Sequence, residues 1–160
     1  MAIFLSQVSR KRMDGLDPRL IRVINRAAAM ATKEQDFMIL EGVRSTEQCY
    51  INYGKGRTAA QCTAKGVPAK YAQPKLAKVT WLNDPLSSKH RLQKATGFGA
   101  AFDAAPFPID WNDLKRFDAM AKLFMEAARL EGVRLRWGAD WDADGKFREK
   151  GEPDSPHFEL

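Results

Sequence analysis

His90 and His157 are the chain's only histidines, and each lies in a polar, turn-like setting beside acids or hydroxyls. His90 stands in Ser88-Lys89-His90, and Asp103 follows thirteen residues later. His157 stands in Asp154-Ser155-Pro156-His157. Two imidazoles and one carboxylate are a common donor set for catalytic zinc, which takes three protein ligands and keeps one position open for water. The metal lowers the pKa of that water towards ~7. A further carboxylate must then take the water's proton and return it to the leaving amine. Asp154, three residues before His157, is of the right type.

The spacings by themselves leave other readings open. There is no His-Glu-x-x-His signature. Isolated histidines also serve as structural or surface residues. A serine or cysteine nucleophile is conceivable, but the chain has no Gly-x-Ser-x-Gly elbow, and two histidines allow few triads. Cys49 and Cys62 lack the close spacing of a structural zinc site and read as reduced, partly buried thiols.

The elements that must position these groups can be traced in order. Asp17 caps and Pro18 opens a helix expected to run to Thr32, with Leu20, Ile21, Val23, Ile24, Ala27 and Ala28 on its apolar face. Phe37 to Leu40 reads as a buried strand and Ser45 to Tyr53 as a helix. Residues 53–77, rich in Gly, Pro and Lys, read as a long loop. Short strands are expected over 78–82 and 100–104. Asp110 to Gly132 is the clearest helix, with Asp110 or Asn112 as its cap and Leu114, Phe117, Ala121, Phe124, Met125 and Ala128 on one face. Gly132 can end it in the left-handed conformation, and 133–137 reads as a strand. The tail is turn-rich up to Pro156-His157-Phe158-Glu159-Leu160. This order implies a single α+β domain over 1–160, with a short antiparallel sheet, flanking helices and a cleft for the metal. Trp137 and Trp141 are expected in the core. Asp142-Ala143-Asp144-Gly145 reads as a solvated acidic turn, because it lacks the spacing and closing glutamate of a calcium loop.

Composition narrows the classes. The chain's 160 residues suit one domain, and 44% apolar with 29% charged residues is ordinary globular usage, which excludes a disordered or fibrous chain. A domain of this size buries roughly 70% of its unfolded surface, enough for one real core. No apolar stretch approaches the ~20 residues of a membrane span, so no membrane insertion is expected. Charges follow rather than precede the short apolar run Ala2 to Leu5, the reverse of a secretory signal, so synthesis in the cytoplasm is expected. The net charge of +6 favours an anionic partner. The basic residues are scattered, as in Arg10-Lys11-Arg12 and Lys55, Arg57, with no nucleic-acid-binding signature.

Several segments, in order, resemble the zinc peptidoglycan peptidases, the family of D-alanyl-D-alanine carboxypeptidases, vancomycin-resistance dipeptidases and phage L-alanyl-D-glutamate endopeptidases. They are Leu40-Glu41-Gly42-Val43-Arg44-Ser45-Thr46-Glu47-Gln48, then Gly54-Lys55-Gly56-Arg57-Thr58. Next come Ser88-Lys89-His90 with Gly99-Ala100-Ala101-Phe102-Asp103, similar to the family's Ser-x-His and Gly-x-Ala-x-Asp zinc motif. Trp137-Gly138-Ala139-Asp140-Trp141 and Asp154-Ser155-Pro156-His157-Phe158-Glu159-Leu160 are most similar to the phage endolysin branch, as are Phe4 to Ser9 and the Asp17-Pro18 helix.

The resemblance implies roles. His90, Asp103 and His157 would bind Zn2+, and Asp154 would be the general base. Arg44 would act in catalysis and substrate binding, holding a substrate carboxylate or the oxyanion. Gln48 and Ser88 would contact substrate, Ser88 also orienting the first histidine. The family places its aspartate seven residues after the histidine; here that position is Gly97, so an insertion separates His90 from Gly99 and makes Asp84 the alternative ligand. The implied function is an endolysin that hydrolyses the L-alanyl-D-glutamate bond of stem peptides and lyses the bacteriophage's host. A D-alanyl-D-alanine carboxypeptidase, or an inactive wall-binding or phage structural module, is the alternative. The implied partner is bacterial peptidoglycan, reached with the help of a holin, by a monomer without a separate wall-binding domain.

Overall fold

The computed structural model describes residues 2–160. They fold as two compact units: a larger one made of the chain up to Val43 with Leu92–Leu160, and a smaller one, Arg44–Arg91.

In the larger unit, α1 (Gln7–Arg12) starts where Ser6 Oγ accepts from Ser9 N. This short helix was not apparent from periodicity, because six residues make fewer than two turns. α2 (Pro18–Met30) begins as expected, with Asp17 accepting from Arg19 N at 2.9 Å and Pro18 at the first helical position. Its buried stripe is Leu20, Val23, Ile24, Ala27 and Ala28; Ile21 is half-buried at the edge. α5 (Leu114–Glu131) packs against α2 and ends at Gly132, whose φ of 67° is the left-handed cap. The cap at its start is Asp113, not Asp110 or Asn112, which lie in the turn before it. Phe117, Ala121, Phe124 and Ala128 are buried as expected, whereas Leu114 and Met125 face solvent.

Four strands form one antiparallel sheet in the order β1-β2-β4-β3: β1 (Phe37–Glu41), β2 (Ala101–Pro106), β3 (Arg136–Trp137) and β4 (His157–Glu159). Period-two alternation sorts their side chains. Phe102, Phe158 and Trp137 occupy neighbouring positions on one face, and Phe124 of α5 meets the first two rings at 5.3 and 4.9 Å. Burying each of these phenylalanines contributes about 1.5–3 kcal/mol. Asp103 and His157, paired across β2 and β4, fall on the opposite face with Glu159 and Arg136. β4 was not foreseen, and the strand expected over 133–137 is confined to its last two residues.

In the smaller unit, α3 (Thr46–Gly54) follows Ser45, whose Oγ accepts from Gln48 N at 3.1 Å. The stretch expected to be a long loop contains α4 (Ala59–Ala64) and a helical turn, Ala69–Tyr71. The missed signal is a capping box: Thr58 Oγ1 accepts from Gln61 N, and Gln61 Oε1 accepts from Thr58 N. Tyr53, Cys62 and Val67 make a small core, with Arg57 folded over the Tyr53 ring at 3.9 Å. Arg57 donates to the Tyr53 and Thr80 carbonyls at 2.8 and 2.9 Å. Residues 78–82 are not a strand; Thr80 meets this buried arginine instead of a ladder. Cys49 and Cys62 are both buried. Among the described residues no helix is long and apolar enough to cross a membrane.

Candidate active site

The sheet's polar face carries two of the candidate residues. Asp103 on β2 faces His157 on β4, and His157 Nδ1 lies 3.1 Å from Asp103 Oδ1. On the other side of the ring, His157 Nε2 lies 3.2 Å from Glu159 Oε2. Burial opposes a charge on His157, but hydrogen bonds to Asp103 and Glu159 and the nearby charges of Asp103 and Asp154 outweigh it, so its pKa is pushed up to about 9.

The chain around Asp154 is held by backbone. Asp154 O accepts from His157 N, and Gly138 N donates to His157 O at 2.8 Å. Trp137 Nε1 donates to Ser155 O at 2.7 Å. A Cβ at position 138 would collide with the Asp154 carbonyl, so only glycine lets the end of β3 pass this segment. Asp154 itself is exposed. Trp137 is buried as expected. Trp141 is half-buried, against the expectation of a core residue; its ring lies 5.6 Å from His157 and under the Arg136 guanidinium at 4.8 Å.

The smaller unit carries other candidates. Arg44 N donates to His90 O at 2.9 Å, and Arg44 Nη1 donates to Ser88 Oγ at 3.4 Å. Ser88 Oγ also accepts from His90 N at 3.1 Å, so this buried hydroxyl ties Arg44 to the histidine turn. His90 is buried. Gln48 is exposed and donates to Asn52 Oδ1 at 2.8 Å. Asp84 is exposed and closes its own turn, accepting from Leu86 N at 2.9 Å.

The donor chemistry suits zinc. Asp103 and His157 present a carboxylate oxygen and an imidazole nitrogen side by side, and His90 offers a second buried imidazole. Sequence reasoning missed Glu159 and Arg136; the only signal was a Glu two residues beyond the histidine, on the same face of any strand that forms there. The acidic turn is solvated at Asp142 and Asp144, as expected, whereas Asp140 is half-buried. One carboxylate oxygen of each lies within 4.8 Å of the others. Asp140 accepts from Asp144 N and Gly145 N, at 3.1 and 3.2 Å.

Comparison with known proteins places the chain in a family. The model of the phage L-alanyl-D-glutamate peptidase family matches residues 1–72 and 69–160. The L-alanyl-D-glutamate peptidase of Escherichia phage T5 is 32% identical over 166 residues, covering 100% of this chain and 99% of that protein. The crystal structure of Serratia marcescens L-Ala D-Glu endopeptidase ChiX shares the fold, with a TM-score of 0.53 and 22% identity over 98% of this chain and 88% of that one. With the family pattern running from the first helix to the strand that carries His157, the chain belongs to the phage L-alanyl-D-glutamate peptidase family.

Proposed function

We propose that the chain is a zinc endolysin that hydrolyses the L-alanyl-D-glutamate bond of peptidoglycan stem peptides. The observation that carries this reading is the Asp103–His157 pair, set on paired strands in a chain that matches a phage L-alanyl-D-glutamate peptidase over its whole length. His90, Asp103 and His157 hold the metal. When bound, zinc supplies Lewis acidity and lowers the pKa of water towards ~7.

Asp154 takes the proton of the attacking water and passes it to the departing amine of D-glutamate. Its exposed carboxylate, close enough in charge to raise the His157 pKa, supports that role. Arg44 offers its guanidinium to a substrate carboxylate or to the developing oxyanion, and Ser88 holds Arg44 and the His90 turn together. Gln48 contacts the peptide from the exposed face of α3. In this reading residues 1–160 act as a monomeric catalytic domain. It accumulates in the host cytoplasm, meets the wall after a holin breaches the membrane, and lyses the cell.

The test is a digest of purified peptidoglycan, with and without chelator and with zinc added back, read by mass spectrometry. New D-glutamate N-termini that vanish with chelator and return with zinc are expected. Loss of terminal D-alanine instead would make the enzyme a carboxypeptidase. No metal-dependent cleavage of several wall types would leave an inactive binding module.

A further inference from the structure

Glu159 has no part in the chemistry described so far, yet it is buried on an inner strand of the sheet, between β2 and β3. A buried carboxylate is costly unless its oxygens find partners. Here the two oxygens are divided. Oε1 accepts from Arg136 Nη1 at 3.2 Å, and Oε2 faces His157 Nε2 at 3.2 Å. Arg136 is placed opposite Glu159 by the β3–β4 register, and its guanidinium is steadied over the Trp141 ring. His157 and Glu159 are two residues apart on β4 and therefore share a face.

An imidazole that binds a metal through one nitrogen must carry its proton on the other. The partner of that second nitrogen sets both the tautomer and the ring's rotation. For His157 the two nitrogens have different neighbours: Nδ1 faces Asp103, and Nε2 faces Glu159.

We propose that Glu159, braced by Arg136, is a positioning residue that accepts the Nε2–H of His157 and so presents the Nδ1 lone pair, beside Asp103, to the metal. This rests on the reading of His157 as a zinc ligand. Glu159 touches neither metal nor substrate; it acts through the ring. Without it, the ring is released to rotate and to place its proton on either nitrogen, so the metal must select one arrangement from several.

The experiment is zinc affinity by chelator competition for the full chain and its E159A, E159Q and R136A variants, with 15N NMR of the His157 ring in the zinc-loaded wild type. Zinc bound to Nδ1 with a proton on Nε2 is expected. E159A should bind zinc about 10–100-fold more weakly, the range for loss of an outer partner of a metal-bound histidine. E159Q should restore most of the affinity, because its amide oxygen accepts the same proton, and R136A should fall between. Wild-type affinity in both E159A and R136A, with zinc bound by the wild type, would overturn the role of Glu159 alone. Ligation through Nε2 would overturn it too, and this readout stands even if E159A does not fold. A wild type that binds no zinc would overturn the ligand reading and Glu159's role with it.

Discussion

Nδ1 of His157 lies 3.1 Å from Oδ1 of Asp103, although 54 residues separate the two along the chain. Strand pairing makes the contact: β2 and β4 run antiparallel, and these residues are register partners. Asp103→Ala removes a proposed ligand rather than an outer partner. Its loss of zinc affinity, measured by chelator competition, should exceed the about 10–100-fold typical of outer partners. Digestion of peptidoglycan should fall with it. Unchanged zinc affinity would return the third ligand to Asp84.

Asp154→Ala should separate binding from turnover. The zinc content of the purified variant should match the wild type, while peptide release falls by about 10²–10⁴-fold, the usual contribution of a general base. A variant that keeps its rate assigns the proton transfer to another group.

Gly138 lies where its Cβ would strike the Asp154 carbonyl. Gly138→Ala should therefore shift the segment that carries Asp154 and His157, lowering activity. It should also cost about 1–3 kcal/mol of stability, as overpacking does. Denaturant unfolding beside a peptidoglycan digest measures both, and wild-type behaviour in the two assays would show that the segment yields without harm.

Arg44→Lys keeps the charge but loses the planar fork. A fall of about tenfold in kcat/KM is expected from the loss of one bidentate contact. Steady-state digestion of a soluble stem peptide reads it, and an unchanged value would remove Arg44 from the substrate's path.

Asp17 contributes a pH-dependent term. Its side chain accepts from Arg19 N and pairs with the Arg19 guanidinium; that hydrogen-bonded pairing outweighs burial and holds its carboxyl below the usual value of 3.8. A depressed carboxyl stabilises the fold above the unfolded pKa, and this stability is lost as pH falls through the folded pKa. Asp17→Ala should cost about 1 kcal/mol at pH 7, as lost helix caps do. The gap between wild type and variant should narrow as pH falls below the usual carboxyl value of 3.8. Urea titrations at the two pH values test this, and a gap that persists in acid would mean the carboxylate charge is not what matters.

Local physics made much of this molecule legible from its residues alone. α2 and α5 announce themselves because their apolar positions recur at helical spacing, α2 after a capping Asp17 and Pro18 and α5 before a closing Gly132, signals carried within each segment. The candidate ligands were legible by type, because two histidines leave few choices and the family's motifs surround them. α4 was also written locally, in Thr58 and Gln61, but was obscured by the Gly- and Lys-rich composition around it. The β4 strand is different. Three residues are too few to show alternation, and His157, Phe158 and Glu159 become a strand only because β2 and β3 satisfy their backbone from either side. Sequence by itself determined which donors the chain owns and which helices it forms. The tertiary pairing decided that Asp103 would face His157 and that Glu159 and Arg136 would stand behind the ring, because ladder hydrogen bonds join segments whose separation no local pattern encodes.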